Sequence, residues 1–127
     1  MAEIKNTAAE MINHLTEVAH ETAIEHGFYD DQKHLMNSMR VEGMFEETFL
    51  VGRSFTLEQI AKIMSECGEA VAAIQHGEAD DFVAEELADA VIRTFDLAGY
   101  MGVDFGSILI NKMERNKQRP YKHGKVC

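Results

Sequence analysis

Four carboxylates in the middle of this chain fall into two pairs of equal spacing, Glu66 with Glu69 and Glu86 with Asp89. On an α-helix a step of three residues is nearly one turn, so each pair shares a face. Two such helices packed antiparallel through their apolar sides would bring all four groups to one edge of the seam. Anions gathered in a partly desolvated place need cations, and hard divalent ions with oxygen ligands, Mg²⁺ or Mn²⁺, suit them. Spacing alone does not distinguish this from a solvated face, since Glu17/Glu21 and Glu78/Asp81 are also close in sequence. Gly68 and Ala70 add weight, because small residues beside the glutamates let a helix or ligand approach closely.

A second group of residues lies toward the C-terminus. Lys112 and Asn116 continue the apolar stripe of Phe105, Ile108 and Leu109, and polar groups on such a stripe must find partners. Beyond them runs Gln118-Arg119-Pro120-Tyr121-Lys122-His123-Gly124-Lys125. Lys and Arg suit phosphate oxygens, and Arg can bind two at once. Lys117 and Lys125 read as solvated. Arg93, one turn past Asp89, either pairs with the acids or reaches a phosphate. For recognition of a ring system the candidates are Phe28, Tyr29, Gln75 and His76; His76, before Gly77, equally suits a helix end.

These residues need helices to carry them. One proline, Pro120, and few alternating apolar runs predict an all-α chain of four to five helices. Thr7-Ala8-Ala9-Glu10 reads as a capping box that opens a first helix, closed near Gly27. A second is expected over about 31–49, interrupted by Gly43. Thr56-Leu57-Glu58-Gln59 opens a third, with Leu57, Ile60, Ile63, Met64, Cys67, Val71 and Ile74 as its apolar face. Asp80 or Asp81 caps a fourth, which ends near Gly102, and Asp104 caps the last. The expected centre is an antiparallel helical hairpin, roughly 57–76 and 81–101, in a single domain spanning 1–127. The tail from Arg119 is too short and polar to fold alone.

The chain has 127 residues, 22 acids, 12 bases and a net charge of −10. At 46% hydrophobic it is a packed chain rather than an acidic disordered one. The charge argues against stable nucleic-acid binding. Six of the bases lie in the last sixteen positions, whereas the stretch from Glu66 to Asp96 holds nine acids and Arg93 as its one base. Two cysteines, Cys67 and Cys127, suggest neither a disulfide framework nor a zinc site. No N-terminal leader pattern and no apolar run near the roughly 18 residues of a membrane span is seen. The expectation is a cytoplasmic protein with no membrane partner.

Glu66-Cys67-Gly68-Glu69 and, after sixteen intervening residues, Glu86-Leu87-Ala88-Asp89 resemble the paired motifs of the MazG-like all-α NTP pyrophosphohydrolases. The likeness continues through Asp89-Ala90-Val91-Ile92-Arg93, Gly102-Val103-Asp104, Lys112, Asn116 and Arg119-Pro120-Tyr121-Lys122-His123-Gly124-Lys125, over about 57–125. His26-Gly27-Phe28-Tyr29-Asp30 resembles the aromatic turn of small bacterial and phage members. The resemblance implies hydrolysis of a (d)NTP to monophosphate and pyrophosphate, with a phosphoribosyl-ATP pyrophosphatase or a non-catalytic nucleotide-binding module as alternatives. It makes Glu66, Glu69, Glu86 and Asp89 the ligands of two or more Mg²⁺ ions. It also makes Lys112 and Asn116 nucleotide contacts, often across a subunit interface in a homodimer or homotetramer, with Arg119 and Tyr121 assisting. Some relatives carry an extra Glu just before the first motif glutamate, where this chain has Ser65. Water activation then falls to a metal-bound water or a motif carboxylate.

Overall fold

The computed structural model describes residues 1–124. Among them are five α-helices and no strand: α1 (Ala2–Glu25), α2 (Asp30–Val41), α3 (Phe45–Gln75), α4 (Asp80–Met101) and α5 (Phe105–Lys117). The short tail, expected not to fold alone, makes one 3₁₀ turn at Tyr121–Gly124. Lys125, read as solvated, lies outside the described residues.

Two expected helix starts fall inside helices. The Thr7 hydroxyl donates to the Glu3 carbonyl at 3.0 Å, and that of Thr56 to the Gly52 carbonyl at 3.1 Å. A threonine can bond back to the carbonyl four residues earlier as well as cap, so the pattern does not fix a boundary. The second helix stops at Val41 instead of running on to Phe49. Gly43 takes φ +76°, a left-handed conformation that ends α2, and α3 then starts at Phe45, well before Thr56. Ala79, not Asp80 or Asp81, is the α4 N-cap, and both aspartates sit in the first turn, where the helix dipole favours them. Asp104 does cap α5: its Oδ1 accepts the Ser107 N–H at 3.1 Å and the Asn13 amide at 2.8 Å.

The principal helix contacts form a row, α2 on α3, α3 on α4, α4 on α1 and α1 on α5. Phe55 meets Tyr100 and Glu66 meets Arg93, so α4 runs back along α3. The seam between them is not the bulky stripe that periodicity picked out. Ala70, Ala73 and Ala90 are buried, whereas Leu57, Ile60, Met64, Val71 and Ile74 of α3 and Leu87 and Val91 of α4 are exposed. Alanine lets helices approach closely, and the large side chains sit on neighbouring sides of the same helices. Gly68 is no close-approach site, since a Cβ there would meet nothing within 4 Å. Gly106 is one: a Cβ would lie 2.1 Å from the Ala9 carbonyl oxygen, so α5 rests directly on the α1 backbone.

A row of helices encloses little. The surface is 9520 Å², whereas a compact monomer of 14.3 kDa would expose about 6,800 Å². The polar centre that ties four helices together is built on Tyr29. Its ring stacks on Tyr100 and packs on Phe55, and its hydroxyl donates to Asp96 at 2.7 Å. His20 Nδ1 bonds the same carboxylate oxygen at 2.9 Å. Burial first, and then the Asp96 carboxylate, push the Tyr29 phenol well above its usual pKa, so it remains a donor. No helix among the described residues is long and apolar enough to cross a membrane.

Candidate metal centre

Glu66 reaches the α3–α4 seam because it falls on the same line of α3 as Ala70 and Ala73. It is buried. Glu86 and Asp89 approach from α4, one turn apart, and one oxygen from each of the three residues lies within 4.8 Å of the others. Glu69 completes the group from the exposed rim. Hydrogen bonding with Glu66, then with Glu86, and the repulsion of both carboxylates push its pKa above the usual glutamate value. Three of the four carboxylates paired in the sequence therefore do come together, on the alanine seam and not beside the bulky stripe, with Glu69 next to Glu66 and Glu86.

One positive side chain joins them. Arg93 Nε donates to Glu66 Oε1 at 2.5 Å. Of the two readings open for this arginine, the structure displays the ion pair. Three carboxylates remain without a bonded cation among the described residues. The donors are all oxygen; no imidazole belongs to the cluster, and Cys67, next to Glu66, is exposed. That chemistry fits a hard divalent cation and does not fit one that prefers sulfur or nitrogen.

The other candidate residues lie apart from this group. Helix α5 docks on α1, with α4 and α1 between it and α3 in the row of contacts. Lys112, Asn116 and Arg119 are exposed, and none of them bonds a carboxylate of the cluster among the described residues. The expectation that Lys112 and Asn116 need partners on an apolar stripe fails within one chain, because both are exposed where the stripe runs out: Phe105 and Leu109 are half-buried, but Ile108 is already 50% exposed. Tyr121 is exposed, with the Lys122 ammonium 5.7 Å from its ring centre. His76 is the C-cap of α3 and exposed, its N–H bonded to the Ala72 carbonyl. Of the aromatic pair in the first turn, Tyr29 is committed to the interior, whereas Phe28 is 73% exposed. The supporting residues His20, Asp96 and Tyr100 were not legible beforehand. Their only signal is a line of polar side chains at helical spacing on faces that turn inward.

Such a fold and site define an all-α protein with a cluster of carboxylates at a helix seam, of a chemistry that suits hard cations. The chain belongs to the family of the MazG nucleotide pyrophosphohydrolase domain, whose model matches residues 55–121. That span covers α3 from Phe55, α4 and α5, and so includes all four carboxylates. No curated protein and no solved structure matches the chain significantly.

Proposed function

We propose that the chain is a Mg²⁺-dependent pyrophosphohydrolase that converts a nucleoside triphosphate, (d)NTP, to the monophosphate and pyrophosphate, acting on the nucleotide pool. The observation that carries this reading is the convergence of Glu66, Glu69, Glu86 and Asp89 within a chain of a nucleotide pyrophosphohydrolase family. A triphosphate carries about four negative charges and can approach four carboxylates only with cations between them. Bound there, two or more Mg²⁺ ions would supply the charge neutralisation and polarisation that phosphoryl transfer requires. Glu66, Glu86 and Asp89 would hold them from the seam and Glu69 from the rim.

The single chain reads as one domain, with α3 and α4 as the central hairpin of an assembly. About 2,700 Å² of surface beyond that of a compact monomer, together with the exposed Leu57, Ile60, Met64, Val71, Leu87 and Val91, supports a homodimer or homotetramer. The place of α5, away from the carboxylates of its own chain, supports a site shared between subunits. Lys112, Asn116, Arg119 and Tyr121 of one protomer would then hold the nucleotide at the metal centre of its partner. His76 and the exposed Phe28 are the groups free to meet a base.

The test is a panel of ribo- and deoxynucleoside triphosphates with Mg²⁺ or Mn²⁺, products identified by chromatography. Monophosphate and pyrophosphate in equal amounts are expected. Release of orthophosphate, or binding without turnover, overturns the reading.

A further inference from the structure

Arg93 leaves α4 seven residues after Glu86. At about 100° per residue it emerges within roughly 20° of that glutamate, on the side that carries the carboxylates. Its Nε is bonded to Glu66, the deepest of the four acids, whose side chain is 12% exposed. Arg93 itself is 45% exposed, and its terminal guanidinium nitrogens have no hydrogen-bond partner among the described residues. The guanidinium thus occupies an oxygen of the very carboxylate that a divalent ion would need. Like charges repel, so a guanidinium and a divalent ion compete for Glu66. The half-exposed arginine is the mobile member of the pair, because Glu66 is held at the seam.

We propose that Arg93 is the placeholder cation of this centre. It neutralises Glu66 until divalent ions arrive, yields the carboxylate to them, and then offers its freed guanidinium to the oxygens of a metal-laden polyphosphate. Arg93 is a positioning residue in the first state and an anion contact in the second. This rests on reading the four carboxylates as a metal site.

Mn²⁺ titrations followed by electron paramagnetic resonance test it on the full chain. Arg93→Gln keeps a donor of similar reach without the charge, and should bind Mn²⁺ roughly tenfold more tightly. Arg93→Lys keeps the competing charge and should remain near the wild type. The metal-free Gln variant should unfold at a lower temperature, and saturating Mn²⁺ should remove the difference. An unchanged or weaker Mn²⁺ affinity in Arg93→Gln overturns the proposal, as does a deficit in unfolding temperature that persists with metal. The wild-type Arg93 Nε–H resonance gives a readout independent of any variant's folding. It should show a bonded, slowly exchanging proton without metal and a free one in saturating Mg²⁺; no change on adding Mg²⁺ overturns the proposal. A wild-type chain that binds no Mn²⁺ defeats the metal reading itself, whereas wild-type binding with unaltered affinity in Arg93→Gln defeats only this inference.

Discussion

Glu69 is exposed and yet raised in pKa, by hydrogen bonding to Glu66 first and then to Glu86. Repulsion by the same two carboxylates adds to the shift, and a bound divalent ion would relieve it. Removing one charge there should therefore hurt metal binding without hurting the fold. Glu69→Gln is expected to cost more than the roughly 100-fold seen when groups outside the metal's own ligands are changed. Its unfolding temperature without metal should stay level or rise. Steady-state turnover and calorimetry check both, and near-normal turnover would remove Glu69 from the site. At this scale the sequence was informative: spacing placed four carboxylates on two helices, and they meet. It could not say that Arg93 would take Glu66, because both of its readings satisfied the same spacing. Nor could it separate Tyr29 from Phe28, since which of two adjacent aromatics turns inward depends on α3 and α4 packing against them.

Among the elements, two of the contacts that hold α5 on α1 are made by Gly106 and Asp104. Gly106 lets the backbones touch, and a Cβ there would meet Ala9 carbonyl oxygen, carbon and Cα, none of which can move aside cheaply. Gly106→Ala should destabilise the protein by about 1–3 kcal/mol. Gly68→Ala, where a Cβ meets nothing, should be neutral or stabilising by up to about 1 kcal/mol. Urea unfolding of the two variants compares them directly. The second contact is Asp104, whose carboxylate is held below its usual pKa by the Asn13 amide first and the Ser107 N–H next. A lowered folded-state value means the contribution is present above the ordinary aspartate range and is lost as pH falls through the lowered one. Unfolding temperatures of wild type and Asp104→Asn should therefore differ at neutral pH and converge in acid; a gap constant across pH would count against the ionised cap. The boundary of α5 was legible because Asp104 caps it through the Ser107 N–H, the local role its place in the sequence suggests. Those of α1 and α3 were not, because a threonine hydroxyl serves a helix interior as readily as its start.

Taken as one molecule, the chain is a row of helices with an alanine seam inside and bulky apolar side chains outside. Periodicity picked out Leu57, Ile60, Ile63, Met64, Cys67, Val71 and Ile74 as one stripe, and all of them but the half-buried Ile63 are exposed. It could not tell whether that stripe faces this chain or another, since both uses bury the same residues. If a second copy covers it, stability and specific activity become matters of concentration. Sedimentation velocity should find a dimer or larger species, and the unfolding temperature should rise with protein concentration; a monomer at every concentration would contradict the shared site.

The same stripe carries an exposed thiol at its middle, Cys67 between Met64 and Val71. If a second copy covers the stripe, an alkylating reagent would consume that sulfur quickly in dilute samples and slowly in concentrated ones. Peptide mapping of the Cys67 adduct would thus turn a side chain with no part in the chemistry into a clock for how long each protomer spends alone.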